Sequence, residues 1–245
     1  MGANQWMEKM PTEHAFELLT IDLDDTLWPC APTIERAEAV LYAWMERTAP
    51  RLTEVYDREA MCRHRRALMT SRPEIAHDLT AVRRHSLRGL LVAHGYDVAL
   101  ADDAVALFLE HRNRVAPYAD VLPALRALGA EYPLVSITNG NANVARTPLR
   151  GLFGRSLTAA DVGARKPAPN LFLGALRWGR VSPERALHLG DDPYRDVEAA
   201  RRLGMTAVWI NRSSAPWPHA LAPPAGEVAD LGQFRHWLRD HRHAL

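Results

Sequence analysis

The sequence predicts an α/β protein: a parallel sheet of βαβ units, interrupted just after its first strand by a helical insertion. Three observations carry this. Phe16 to Asp22, Pro133 to Thr138, Ala186 to Gly190 and Thr206 to Ile210 are short apolar runs that read as buried strands. Helical patterns separate the later runs, as the crossovers of a parallel sheet require. Between Trp28 and Val115, about 90 residues carry helical patterns and no strand pattern.

In the insertion, Ile34, Ala37, Val40, Leu41, Trp44 and Met45 recur at three- and four-residue spacing and define one apolar helix face. Helices are expected over Asp57 to Met69, Thr80 to His94 (stopped by Gly95) and Ala101 to His111. In the second part the spacing predicts helices over Ala119 to Leu128, Phe172 to Trp178 and Asp196 to Leu203. Ser213 to Gly226 holds four prolines and reads as a surface loop. The expected division is a core of residues 1–28 and 116–245 with residues 29–115 inserted.

With 47% hydrophobic and 24% charged residues, the chain is neither disordered nor collagen-like. No apolar run reaches the ~20 residues of a spanning helix, so no membrane is expected. A net charge of +1 gives no case for nucleic acid. The polar start lacks an apolar signal core, and residues 1–9 read as a leader or an added tail. Two cysteines, Cys30 and Cys62, build neither a disulfide framework nor a zinc cluster, which fits a reducing cytoplasm. Of 30 basic residues only Lys9 and Lys166 are lysines. A lone internal lysine marks a place where a compact ammonium is wanted, or an accident of drift. Nothing in the sequence sets the oligomeric state.

Ligands of open parallel sheets sit beyond the carboxyl ends of the strands. The first strand ends in Asp22-Leu23-Asp24-Asp25, three carboxylates that repel unless a cation or proton relieves them. Hard carboxylate oxygens suit Mg²⁺; a solvated turn is the ordinary alternative. The second strand ends in Thr138-Asn139-Gly140, a hydroxyl and backbone N–H groups able to hold phosphate oxygens, or simply a good turn. Lys166 stands in a proline-stiffened loop, Arg165-Lys166-Pro167-Ala168-Pro169. Gly190-Asp191-Asp192, with Asp196 beyond, again crowds carboxylates at a strand end; Asp192 could serve as a helix cap.

Taken together, Asp22-x-Asp24-x-Thr26, Thr138, Lys166 and Gly190-Asp191-Asp192 resemble the four motifs of the haloacid dehalogenase-like superfamily of aspartate-nucleophile phosphatases. The resemblance implies a Rossmann-like core with the insertion as a helical cap. It implies Asp22 as nucleophile, Asp24 as general acid and base, and Thr138, Asn139 and Lys166 as phosphate-holding groups. It also implies Mg²⁺ held by Asp22, the Asp24 carbonyl and Asp191, with Asp192 and Asp196 supporting. True dehalogenases of the superfamily lack the second motif aspartate, which is present here as Asp24. Phosphonate cleavage needs a cap lysine, and the insertion has none. A catalytically dead interaction module should have lost a motif residue, and none is lost.

The insertion is expected to select a small phosphorylated metabolite. Arg58 to Arg88 holds eight arginines against three acids, a basic stretch that could attract anions or form a solvated face. Pro73 to Thr80 reads as a polar loop between helices. His77 and Asp78 could meet substrate there, or Asp78 could cap the next helix. This loop resembles that of bacterial phosphatases that act on 5-amino-6-(5-phospho-D-ribitylamino)uracil in riboflavin synthesis and on FMN. Phosphoglycolate, sugar phosphates and nucleotides are the alternatives the superfamily implies. Trp28 could pack on a substrate ring or form a core contact.

Overall fold

The computed structural model describes residues 16–241. Lys9 and the expected leader or tail lie outside these residues. Strand β1 (Leu18–Ile21) opens the core. Helices α1 (Cys30–Thr48), α2 (Pro50–Thr53), α3 (Arg58–Ser71), α4 (Leu79–Ala93) and α5 (Leu100–Arg112) follow, with a 3₁₀ turn over Pro73–Ile75. The core then resumes with α6 (Val121–Glu131), β2 (Leu134–Thr138), β3 (Arg155–Thr158), α7 (Ala159–Val162) and α8 (Asn170–Gly179). It closes with β4 (Ala186–Gly190), α9 (Ala199–Arg201), β5 (Thr206–Ile210), β6 (Gly226–Val228) and α10 (Leu231–Asp240).

All six strands are parallel, in the order β3-β2-β1-β4-β5-β6. The chain leaves β1 toward one edge and later returns to β4 on the other side. The β1/β4 seam is therefore the point where strand order reverses and a crevice opens. Alternation along the strands sorts side chains to two faces. Leu19, Ile21, Leu187, Leu189, Val208 and Ile210 join Leu125 of α6 and Phe234 of α10 in one core. Leu18, Val135, Ile137, Ala207 and Trp209 join Phe172 and Leu176 of α8 in the other. Strands buried on both faces are mostly apolar, which is why the central four were legible.

The helices α1 to α5 bury a cluster of their own, including Ala37, Leu41, Met45, Leu87, Leu91, Val105 and Phe108. On α1 the buried positions Thr33, Ala37, Leu41 and Met45 fall four apart, one stripe of a helix surface. On α5 the buried stripe is Ala101, Ala104, Val105, Phe108 and, last, Arg112. Among the described residues no helix is long and apolar enough to cross a membrane.

The structure departs from the sequence expectation in four places. β3 and β6 are strands the sequence did not announce. Both lie at sheet edges, where only Leu157 and Val228 of their residues are buried, so neither needs a continuous apolar run. Gly226, expected to end a surface loop, begins β6. Helix α10 was also unread, although Asp230 caps it through the Gln233 N–H and Leu231, Phe234 and Leu238 form its buried face. The regular helix expected from Asp196 is a π-helical turn over Pro193–Glu198 running into α9.

Asp78 precedes α4 and its carboxylate accepts the N–H groups of Thr80 and Ala81, both at 2.9 Å. Asp78→Ala should cost about 1 kcal/mol through loss of this cap, lowering Tm by about 2–4 °C in a thermal melt. An unchanged Tm would show that the cap contributes nothing.

Candidate active site

The groups predicted at the strand ends converge on the β1/β4 seam. Asp22 follows β1, Asp191 follows β4, and Thr138 ends β2 on the far side of Asp22. With Asp24, Asp25, Asn139, Gly140, Lys166, Asp192 and Asp196 they line a cavity of ≈ 270 Å³.

Its centre is the Lys166 ammonium, which is buried. It donates to Asp22 Oδ1 and Asp196 Oδ1, each at 2.5 Å, and to the Ile137 carbonyl at 3.1 Å. Burial alone would pull the lysine pKa down, but the two carboxylates outweigh it and hold it raised. For Asp196, burial is likewise outweighed by Lys166 and His188, and its pKa is lowered. Asp22 goes the other way. Burial, together with the charges of Asp196 and Asp191, keeps it well above the usual carboxylate range against the pull of Lys166. Asp191 is pushed up to about 7 by burial, then by Asp196 and Asp25.

Local chain geometry explains how these side chains meet. Asp25 has φ 60, the left-handed region an aspartate tolerates, and an Asp24–Trp28 bridge closes the loop after β1. Asn139 brackets the Lys166 backbone: its carbonyl accepts the Lys166 N–H at 2.6 Å and its amide donates to the Lys166 carbonyl at 2.9 Å. The π-helical turn brings Asp196 back under Gly190, where a Cβ would lie 2.4 Å from Asp196 Cγ. Asp196 Oδ2 accepts the Asp192 N–H at 3.1 Å. Behind it, His188 Nε2 lies 3.2 Å from Asp196 Oδ1 and His188 Nδ1 2.9 Å from Thr20 Oγ1. Burial lowers the His188 pKa despite Asp196. The neutral ring then donates from Nε2 to the carboxylate and accepts at Nδ1, a tautomer assigned from its partners.

The structure gives several predicted residues more specific duties. The Asn139 carboxamide, expected on phosphate, is spent on Lys166. Asp192 caps the π-helical turn through the N–H groups of Tyr194 and Arg195, both at 2.9 Å. Thr138 Oγ1 accepts the Gly140 N–H at 2.9 Å while lining the cavity. Asp78 is occupied as a helix cap, and neither it nor His77 is among the residues lining this cavity or the larger one described below. Trp28 is fully buried, and its indole N–H donates to Asp24 Oδ1 at 2.9 Å. Cys30, at the cavity wall, has its thiol pushed up to about 12 by burial and then by Asp24, which makes it inert.

Two residues, His188 and Arg112, were missed in the sequence, and Thr26 stood in the first motif without a stated role. Thr26 donates to Asp191 Oδ1 at 3.1 Å. His188 supports Asp196 from within β4. Arg112 donates from Nη2 to both carboxylate oxygens of Asp24 at 2.7 Å. Arg112 carried a signal, since it extends the apolar stripe of α5 by one turn with a charge.

Oxygen ligands of Asp22, Asp191 and Asp196 lie within 4.8 Å of one another. One ammonium faces these three carboxylates, two buried and Asp191 half-buried. A hard divalent cation fits this donor set.

The family model for haloacid dehalogenase-like hydrolase matches residues 16–204. Over 213 residues the chain is 33% identical to 5-amino-6-(5-phospho-D-ribitylamino)uracil phosphatase YigB of Escherichia coli (strain K12), covering 84% of this chain and 89% of that one. It is 28% identical to a glyceraldehyde 3-phosphate phosphatase of Methanopyrus kandleri, over 78% of this chain and 82% of the other. Among solved structures, a 2-haloacid dehalogenase from Pseudomonas syringae pv. Tomato DC3000 superposes with a TM-score of 0.87 at 38% identity, covering 92% of this chain and 99% of that one. The six-stranded parallel core, the four motifs gathered at its switch point and these likenesses agree: the chain is an enzyme that belongs to the haloacid dehalogenase-like hydrolase family.

Proposed function

We propose that this phosphatase hydrolyses phosphate monoesters through an aspartyl-phosphate, with 5-amino-6-(5-phospho-D-ribitylamino)uracil or FMN as substrate. The observation that carries the chemistry is the Lys166 ammonium, 2.5 Å from both Asp22 and Asp196 at the switch point. The Asp22 carboxylate attacks phosphorus, the P–O bond to the alcohol breaks, and Asp24 gives the leaving oxygen its proton. Water then attacks the phosphorus of the aspartyl-phosphate, Asp24 takes the proton, and orthophosphate leaves with Asp22 regenerated. Lys166 and Thr138 hold the phosphoryl oxygens as charge shifts. Asp22, Asp191 and the Asp24 carbonyl would hold Mg²⁺, which when bound offsets the repulsion between an anionic nucleophile and an anionic ester.

The residues 29–115 act in this reading as a cap. A cavity of ≈ 500 Å³ opens among α1, α3, α4 and α5, lined by Glu38, Cys62, Arg65, Met69, Val82 and Phe108 among others. Leu79 lines both this cavity and the phosphate cavity. Its size suits an alcohol carrying a ring. The likeness to the Escherichia coli enzyme supports the flavin-precursor assignment; phosphoglycolate and sugar phosphates are the alternatives.

The Pseudomonas likeness favours a second reading, displacement of halide from a 2-haloacid. Halide leaves without a proton, and Asp24, which lines the cavity, would then be idle. Release of phosphate from a panel of the flavin precursor, FMN, phosphoglycolate and sugar phosphates, beside chloride from 2-chloropropionate, decides between them. Phosphate release with no chloride is expected, abolished in Asp22→Asn. Chloride release with no phosphate from any ester would replace the phosphatase reading.

The metal has a pH signature. Asp191 titrates near 7 in the cation-free fold and near 3.9 when unfolded. Its protonation stabilises the cation-free fold fully below about pH 4, and this is lost as pH rises through about 7. Mg²⁺ should restore stability at pH 8, by about 2.7 kcal/mol at 100 times its Kd, or about 5–10 °C in Tm. The affinity should fall about tenfold for each pH unit below 7. Equal melts with Mg²⁺ and with EDTA at pH 8 would refute the site.

The cap cavity is tested by filling it. Met69→Trp should cut kcat/KM for the flavin precursor by roughly tenfold or more and leave phosphoglycolate within about twofold. Equal losses would place the alcohol elsewhere.

A further inference from the structure

We propose that Arg112, at the last turn of α5, is a positioning residue for Asp24 and thereby for proton delivery to the leaving group. The inference rests on the reading of Asp24 as general acid. Three elements are built around one ion pair. The guanidinium is 1% exposed, and its Nη2 bridges both Asp24 oxygens at 2.7 Å. The Trp28 indole N–H holds Asp24 Oδ1 from the loop after β1. Gly140, after β2, leaves the room: a Cβ there would stand 2.4 Å from Asp24 Oδ2 and 3.2 Å from Arg112 Nη2.

Stability does not account for this arrangement. Arg112 occupies the position on α5 where Ala101, Ala104, Val105 and Phe108 would lead to another apolar residue. Its Nε and Nη1 are buried with no hydrogen-bond partner among the described residues, and unpaired buried donors are costly. A buried ion pair is often no more stable than the apolar residues that could replace it. The pair does fix Asp24, an acid of the cavity, to a helix of the insertion. Next to it, Asn113 Oδ1 accepts the Asn143 N–H at 2.7 Å, which ties the end of α5 to the loop after β2. The guanidinium is therefore set against the core.

Leaving-group dependence separates positioning of a proton donor from a structural role. The value of kcat/KM reports steps through the first P–O cleavage. An alkyl alcohol needs protonation there and 2,4-dinitrophenolate does not. Wild type, Asp24→Asn and Arg112→Met are compared on 2,4-dinitrophenyl phosphate and on the alkyl phosphate of the panel above that wild type cleaves fastest. Asp24→Asn sets the scale. Arg112→Met should lose about 100-fold on the alkyl ester, the lower end for general acid catalysis, and under about threefold on the dinitrophenyl ester. Arg112→Lys should recover part of the alkyl loss and serves as the test if the Met variant does not fold. Equal losses on both esters, or a gain on the alkyl ester, would overturn the proposal. Absence of any split in Asp24→Asn would instead sink the role of Asp24 itself.

Discussion

The site depends on one buried ammonium. Lys166 reaches the switch point of the sheet with almost no solvent, and two carboxylates at 2.5 Å offset the desolvation of its charge. That solution creates the next constraint. Lys166 is committed to Asp22 and Asp196, and for the neighbouring Asp191 burial, with the charges of Asp196 and Asp25, outweighs its pull and raises the pKa to about 7. The carboxylates gathered around Lys166 thus form a donor set that a divalent cation fits. The Asn139 bracket on the Lys166 backbone interlocks the end of β2 with the lysine loop, so two motifs distant in sequence form one rigid unit.

A second consequence runs through the sheet. Asp196 can face Lys166 only if its own position is fixed, and the core supplies this with a polar path in an otherwise apolar layer. Thr20 on β1 meets His188 on β4, and His188 meets Asp196. Phe172 packs edge-on against the imidazole, with ring centroids 5.0 Å apart. The π-helical turn and the missing side chain at Gly190 bring the carboxylate within reach. π-Turns cost hydrogen-bond geometry and recur at functional sites; here the turn explains why the chain after β4 departs from a regular helix.

This also sets what was legible in the sequence. The four central strands showed because burial on both faces makes them mostly apolar, with Thr20, Ser136 and His188 as buried exceptions. β3 and β6 were hidden because an edge strand of three or four residues satisfies its burial with a single side chain, Leu157 or Val228. Asp22 and Asp191 were visible as carboxylates crowded at strand ends, and Lys166 as a lone internal lysine in a proline-stiffened loop. The duties of Asn139 and Asp192 were not, since an amide on a backbone and an amide on a phosphate look alike in one dimension. His77 and Asp78 drew attention as polar residues in a loop, yet a loop before a helix also needs a cap, and Asp78 supplies it. Arg112 could have been found from its phase: a charge on the buried stripe of a helix needs a partner, and the partner was Asp24.

The chemistry is divided between two sets of elements. Asp22, Asp191, Asp196 and Lys166 all stand in segments of the core, outside α1 to α5. Asp24 is different. Its carboxylate is gripped by Arg112 from α5, with Trp28 as the only donor from the core side among the described residues. The same helical layer lines the ≈ 500 Å³ cavity assigned to the alcohol, with Phe108 of α5 one turn before Arg112. In the proposed reading, an alcohol seated in that cavity would meet the helix that carries the guanidinium. If Asp24 is the proton donor proposed above, recognition of the leaving group and delivery of its proton both draw on α5. On that reading, changes in the insertion would retune which esters are cleaved, and through Arg112 would reach Asp24, while Asp22, Asp191, Asp196 and Lys166 keep their places in the core.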